Sequence, residues 1–172
     1  MEIHMKKTNV KKLTLTAVFI AISVVGSLFS FPILGSKCSP VQHLMNIMGA
    51  VFLGPGYAVA AAFITSVIRN LLSLGTLLAF PGSMCGALLA GLLYKYLKKL
   101  PFAYAGEVIG TGIIGGILAY PVAASVLGMQ VAVFAFVVPF LVSTCGGTII
   151  AIILVTALKK SGIIDRLLEE SK

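Results

Sequence analysis

Long apolar runs alternate along this chain with short polar breaks. Turn residues and charges divide them into six predicted helices. The first runs from Leu13 to Leu34, closed by Pro32 and Gly35; the second, Pro40 to Leu53, stops at Gly54, Pro55 and Gly56. The third, Tyr57 to Leu74, leads into a loop from Gly75 to Gly82, and the fourth, Ser83 to Leu97, is closed by Lys98, Lys99 and Pro101. The fifth is Phe102 to Tyr120; after a link over residues 121–130 the sixth runs from Val131 to Lys159.

Runs of about 18 or more apolar residues read as membrane spans, which makes the expected fold an all-α integral membrane protein. Composition agrees. Of 172 residues 59% are hydrophobic and 10% charged, against about one quarter charged in soluble domains. The spans leave no room for a separate soluble domain, so residues 1–172 form one membrane domain. The first run follows a basic segment, as in a signal peptide, but it is long and lacks a small-residue cleavage site, so it reads as a retained helix.

A formal net charge of +8 would suit a nucleic-acid binder, but the basic residues sit elsewhere than on one face. Lys6, Lys7, Lys11 and Lys12 precede the first run, Lys95, Lys98 and Lys99 fall in the middle at the end of the fourth, and Lys159, Lys160, Arg166 and Lys172 close the chain. That is the positive-inside pattern, and no basic surface remains for nucleic acid. It predicts a multi-pass protein of the cytoplasmic membrane with both termini in the cytoplasm: a basic segment over 1–12, spans over 13–159, and a tail over 160–172. Lys37 and Arg69 alone among the basic residues fall in the outer half. Cys38, Cys85 and Cys145 are scattered and give neither a disulfide framework nor a metal site.

The second and fourth spans have only about 14 or 15 residues, below the roughly 20 that cross the hydrocarbon. They either tilt beside loop structure or begin inside the bilayer, and irregular backbone at that depth needs protein or a water-filled cavity around it. A cavity opening outward follows. The second helix brings Gln42, His43 and Asn46 to it, and the third brings Ser66, Arg69, Asn70 and Ser73 at the spacing of one helical face. An arginine inside a span costs about 2.5 kcal/mol or more and marks function by default; the alternative is that Arg69 snorkels to outer headgroups while His43 and Asn46 stitch helices. Phe80 and Pro81 would lay an aromatic wall beside the cavity, and Tyr120, Gln130, Ser143 and Thr144 would complete its rim. Glu107, the sole acid within a span, is expected about 9 Å from the inner face, near Lys98 or Lys99 and well away from Arg69.

The chain has no GxxxxGK[ST], no HExxH and no paired carboxylates, so neither ATP binding by a P-loop nor an enzyme is expected. Ala17 and Ala21, four apart on the first helix, allow close approach of another helix. By pattern alone that approach is internal packing.

The stretch from Lys37 to Lys95, with "PVQH", "IRNLL" and "LLAFPGS", resembles the ThiW family, substrate-binding (S) components of energy-coupling factor (ECF) transporters. The resemblance implies an S-component bundle that captures a thiazole precursor of thiamine, hydroxyethylthiazole, from outside. Its implied partners are a transmembrane T component and two cytosolic ATPases that use the ATP; the chain itself binds no cofactor. The resemblance also turns Ala17 and Ala21 into a T-component docking face. The residues agree with that role: Gln42, His43, Asn46, Asn70 and Phe80 can offer a neutral heterocycle hydrogen bonds and an aromatic wall, and two roles stay open for Arg69, ordering loop carbonyls or meeting a phosphate or carboxylate. The rival reading is a small stand-alone oligomeric carrier or channel for a heterocyclic solute.

Overall fold

A computed structural model describes residues 2–33 and 36–162. The expected tail beyond Gly162, with Arg166 and Lys172, lies outside the described residues, as do Leu34 and Gly35 at the predicted end of the first helix. Among the described residues six helices form one bundle: α1 (Glu2–Gly26), α2 (Pro40–Phe52), α3 (Pro55–Leu71), α4 (Ala79–Leu97), α5 (Leu100–Ser125) and α6 (Val137–Lys160). The segment expected as a separate basic tail is the start of α1.

The first helix ends at Gly26, eight residues short of the predicted Leu34. A 3-10 turn, Ser27–Phe29, follows, and then an antiparallel hairpin of β1 (Phe31–Ile33) and β2 (Ser36–Cys38), with Phe31 opposite Cys38 and Pro32 opposite Lys37. Hydropathy cannot separate this apolar strand from a helix, but Pro32 can. A proline lacks the N–H a helix interior needs and is tolerated on an edge strand.

At the third connection the helix begins earlier than expected, at Ala79 instead of Ser83. Pro81 then lies in the first turn, where the missing N–H would have had no partner anyway. With 19 residues α4 is about 28 Å long and is not a short span; α2, with 13, remains one. α5 continues past the predicted stop at Tyr120, through Pro121, to Ser125. Burial of Ala119 and Ala123 against Phe136 and Phe140 holds that extension in place. Inside α5, Val108–Gly115 is π-helical, a departure from α geometry that recurs at functional sites. α6 starts six residues later than predicted, at Val137.

Apolar and polar groups are distributed inversely to those of a soluble domain. Phe29, Leu71 and Ile153 face outward, while Ser66, Arg69, Glu107 and Thr144 are enclosed by the bundle. Three helices, Val10–Phe29, Leu100–Ser125 and Val137–Lys160, are long and apolar enough to cross a membrane. One end of the interior is sealed by Phe19, Ile47, Phe52, Ala151 and Val155. The other is polar and hollow.

Candidate ligand cavity

The hollow lies where β2 and the N-terminal turns of α2, α4 and α6 meet the C-terminal end of α3. About 450 Å³ of empty space lies there, open solvent at its mouth included. Gln42 and His43 from α2, Arg69 from α3, Ser143 from α6 and Thr111 from the π-helical segment all line it, and Phe140 supplies an apolar wall. Lys37 and Ser39 bring the hairpin and the start of α2 to the same space.

Behind this wall lies a connected polar network. Glu107 is fully buried, and its Oε1 accepts from three donors: His43 Nδ1 at 2.9 Å, Asn46 Nδ2 at 3.1 Å and Thr111 Oγ1 at 2.9 Å. The carboxylate places the ring proton of His43 on Nδ1. His43 Nε2 then meets Ser143 Oγ at 2.8 Å, and that oxygen also accepts the backbone N–H of Ser39 at 3.3 Å. The second hydrogen of the Asn46 amide goes to the Ser83 carbonyl at 3.2 Å, and Ser83 Oγ, which donates to Ala79 O, sits 3.0 Å from Ser66 Oγ. Gln42 Nε2 reaches Ser66 Oγ at 3.5 Å. His43 is therefore fixed at both nitrogens, and Asn46 orients it without touching the cavity.

Two glycines permit these contacts. On α4, a Cβ at Gly86 would run into Thr111 Oγ1 and would come within 2.6 Å of Glu107 Oε2. On α6, one at Gly147 would lie 2.6 Å from His43 Cβ and 2.7 Å from Pro40 O. Gly147 thus lets α6 approach α2 closely enough for Ser143, one turn earlier, to reach the imidazole. Gly147→Ala is expected to lower the melting temperature by several degrees, as overpacking of about 1–3 kcal/mol implies. Gly146→Ala, whose added methyl would meet nothing within 4 Å, is the control, expected to be neutral or slightly stabilising. Equal melting temperatures for the two variants would show that the close approach does not matter.

Of the nine residues predicted for the site, the structure brings Gln42, His43, Arg69 and Ser143 to the cavity and sets five off its wall. Asn46 serves the network. Asn70 braces the end of α3, donating to Ser66 O at 2.8 Å and Thr76 O at 3.2 Å. Phe80 packs edge-on against Phe63, with ring centroids 5.7 Å apart, because the earlier start of α4 turns it from the face that carries Ala79, Gly82 and Ser83; Phe140 provides the aromatic surface instead. Thr144 donates to the Glu107 carbonyl at 3.4 Å, behind the wall. Tyr120, half-buried on α5, does not line the cavity.

Glu107 requires the largest correction. It pairs with His43 and not with Lys98 or Lys99, both of which are exposed. A depth counted along a straight span misses this pairing, because α2 starts beneath a hairpin and reaches the third turn of α5. Its sequence signal was available: a lone in-span acid, with Thr111 four residues on along the same face. Ala17 and Ala21 are exposed on α1, which places them outside the bundle's internal packing.

The chain matches, over residues 13–161, the family described as thiamine-precursor transporter protein (ThiW). Its fold is similar to that of the solved S component of a bacterial ECF transporter, with a TM-score of 0.70 and 24% sequence identity, covering 88% of this chain and 97% of the other. No curated protein matches it.

Proposed function

Because the chain belongs to the ThiW family of thiamine-precursor transporter proteins, we propose that it is the substrate-capturing S component of an ECF importer specific for a thiazole-type precursor such as hydroxyethylthiazole. It takes the solute from outside the cytoplasmic membrane, with six helices spanning and both termini inside. A T component, docked on Ala17 and Ala21, and two ATPases supply the movement inward.

The observation that carries this reading is the cavity itself, on an S-component fold. A polar-walled pocket for one small solute opens at one end of an otherwise apolar bundle. Thiazole chemistry fits it: Phe140 can cover the ring, Gln42 offers hydrogen bonds to a ring nitrogen or hydroxyl, and Ser143 Oγ keeps a lone pair for a hydroxyl. His43, held by Glu107, uses Nε2 to fix the Ser143 hydroxyl at the cavity wall.

Titration of the detergent-purified chain with hydroxyethylthiazole, thiamine and the aminopyrimidine precursor tests the reading. Hydroxyethylthiazole is expected to bind tightest of the three, and Gln42→Ala and His43→Ala each to weaken it about tenfold, the cost of one lost buried hydrogen bond. Tighter binding of the pyrimidine, or unchanged affinity in both variants, would overturn the assignment.

A further inference from the structure

Arg69 is the largest fully buried side chain among the described residues, 2% exposed, and it lines the cavity. Its Nε has no hydrogen-bond acceptor, and no carboxylate of the described residues pairs with the guanidinium. A neutral solute would leave that charge desolvated and unmatched, a costly state for any buried ion. Two internal groups could have balanced it, and neither does so. Glu107 gives Oε1 to His43, Asn46 and Thr111, its Oε2 packs on Gly86, and it presents no oxygen to the cavity. The C-terminal end of α3 offers roughly half a negative charge, but the carbonyls of Ile68, Arg69 and Asn70 already accept the N–H groups of residues 72–75.

The rest of the cavity has the same sign. Lys37, half-buried on β2, lines it. Two helices point their N-terminal turns at it: α2 through Ser39, Gln42 and His43, and α4 through Ala79 and Gly82. Each such end carries partial positive charge and favours an anion.

We infer that the solute carries an oxyanion, a phosphate monoester or a carboxylate, which seats against Arg69 and Lys37 while its ring lies toward His43 and Phe140. For the ring this rests on the thiazole reading; for the charge it rests on Arg69. A planar guanidinium with no protein partner is the group best suited to hold such an oxyanion through paired hydrogen bonds.

The test compares hydroxyethylthiazole, its phosphate ester and the corresponding thiazole-acetic acid as ligands of the full chain in detergent, with inorganic phosphate alone as a fourth probe read by thermal stabilisation. At least one anionic form is expected to bind tenfold or more tightly than the alcohol, and the two anions together tell phosphate from carboxylate. Arg69→Gln should abolish that preference, and Arg69→Lys should restore part of it. Should Arg69→Gln fail to fold, Lys37→Gln, at the mouth, is expected to reduce the same preference. Alcohol binding as tight as both anions overturns the inference and leaves the thiazole assignment standing. If no thiazole form binds but phosphate stabilises wild type and not Arg69→Gln, the anion site stands and the thiazole assignment falls. No anion effect in any arm removes the inference altogether.

Discussion

Glu107→Leu is expected to lower the melting temperature of the purified chain by roughly 10 °C, the fall implied by about 3–5 kcal/mol for breaking a buried pair in a chain of this size. The leucine would leave His43 Nδ1, Asn46 Nδ2 and Thr111 Oγ1 without the acceptor they share. His43 Nδ1 and one Asn46 amide hydrogen would then be buried and unpaired, while Thr111 Oγ1 keeps the Gly82 carbonyl at 3.2 Å, and the loss at the unpaired donors is larger than the net worth of the bonds themselves. Ligand affinity should fall with stability, because His43 would no longer be held with Nε2 toward Ser143. Glu107→Gln separates shape from charge. Its amide oxygen can still accept from His43, so its cost should be well below that of leucine. A differential scanning measurement in one detergent suffices to compare the three proteins. Equal melting temperatures for the leucine, glutamine and wild-type chains would mean that the network does not hold the bundle.

That experiment centres on a residue whose importance was only half legible in the sequence. The apolar runs predict six helices, and the described residues form six, three of them long and apolar enough to cross a membrane; α2 and α3 lie within about three residues of expectation. Boundaries failed where hydropathy carries no geometric information. Phe31–Ile33 is as greasy as a helix and forms a strand, and Pro81 reads as a breaker yet sits where a first turn accepts it. The site was legible as a region. Polar residues in a span must meet something polar, which brought Gln42, His43 and Arg69 to one place correctly. Their partners were not legible, because contacts between Glu107 and His43, 64 positions apart, depend on how helices stack and on glycines that let them approach. Phe80 shows the same limit at smaller scale: shifting the start of one helix by four residues changes which side chains face the cavity.

Transport should be lost, and binding kept, when either Ala17 or Ala21 is replaced by tryptophan. Both alanines are exposed on α1, while Thr16, Phe19 and Ser23 between and beside them are buried. Substitution on the outer face therefore leaves the bundle's packing intact. Small residues four apart leave a flat strip on which a partner helix can lie closely, and the shallow apolar groove formed by Ala21, Ile22, Val25, Phe29 and Val41 continues that strip toward the hairpin. An indole there would hold a partner helix several ångströms away, far outside the distance over which dispersion contacts act. Uptake of labelled precursor by cells that also produce the T component and ATPases is the decisive readout, paired with titration of the same variants after purification. Normal uptake by both tryptophan variants would sink the proposed docking face. Lost binding in either would mean instead that α1 supports the cavity, through the contact of Gly26 with Val41 at the start of α2.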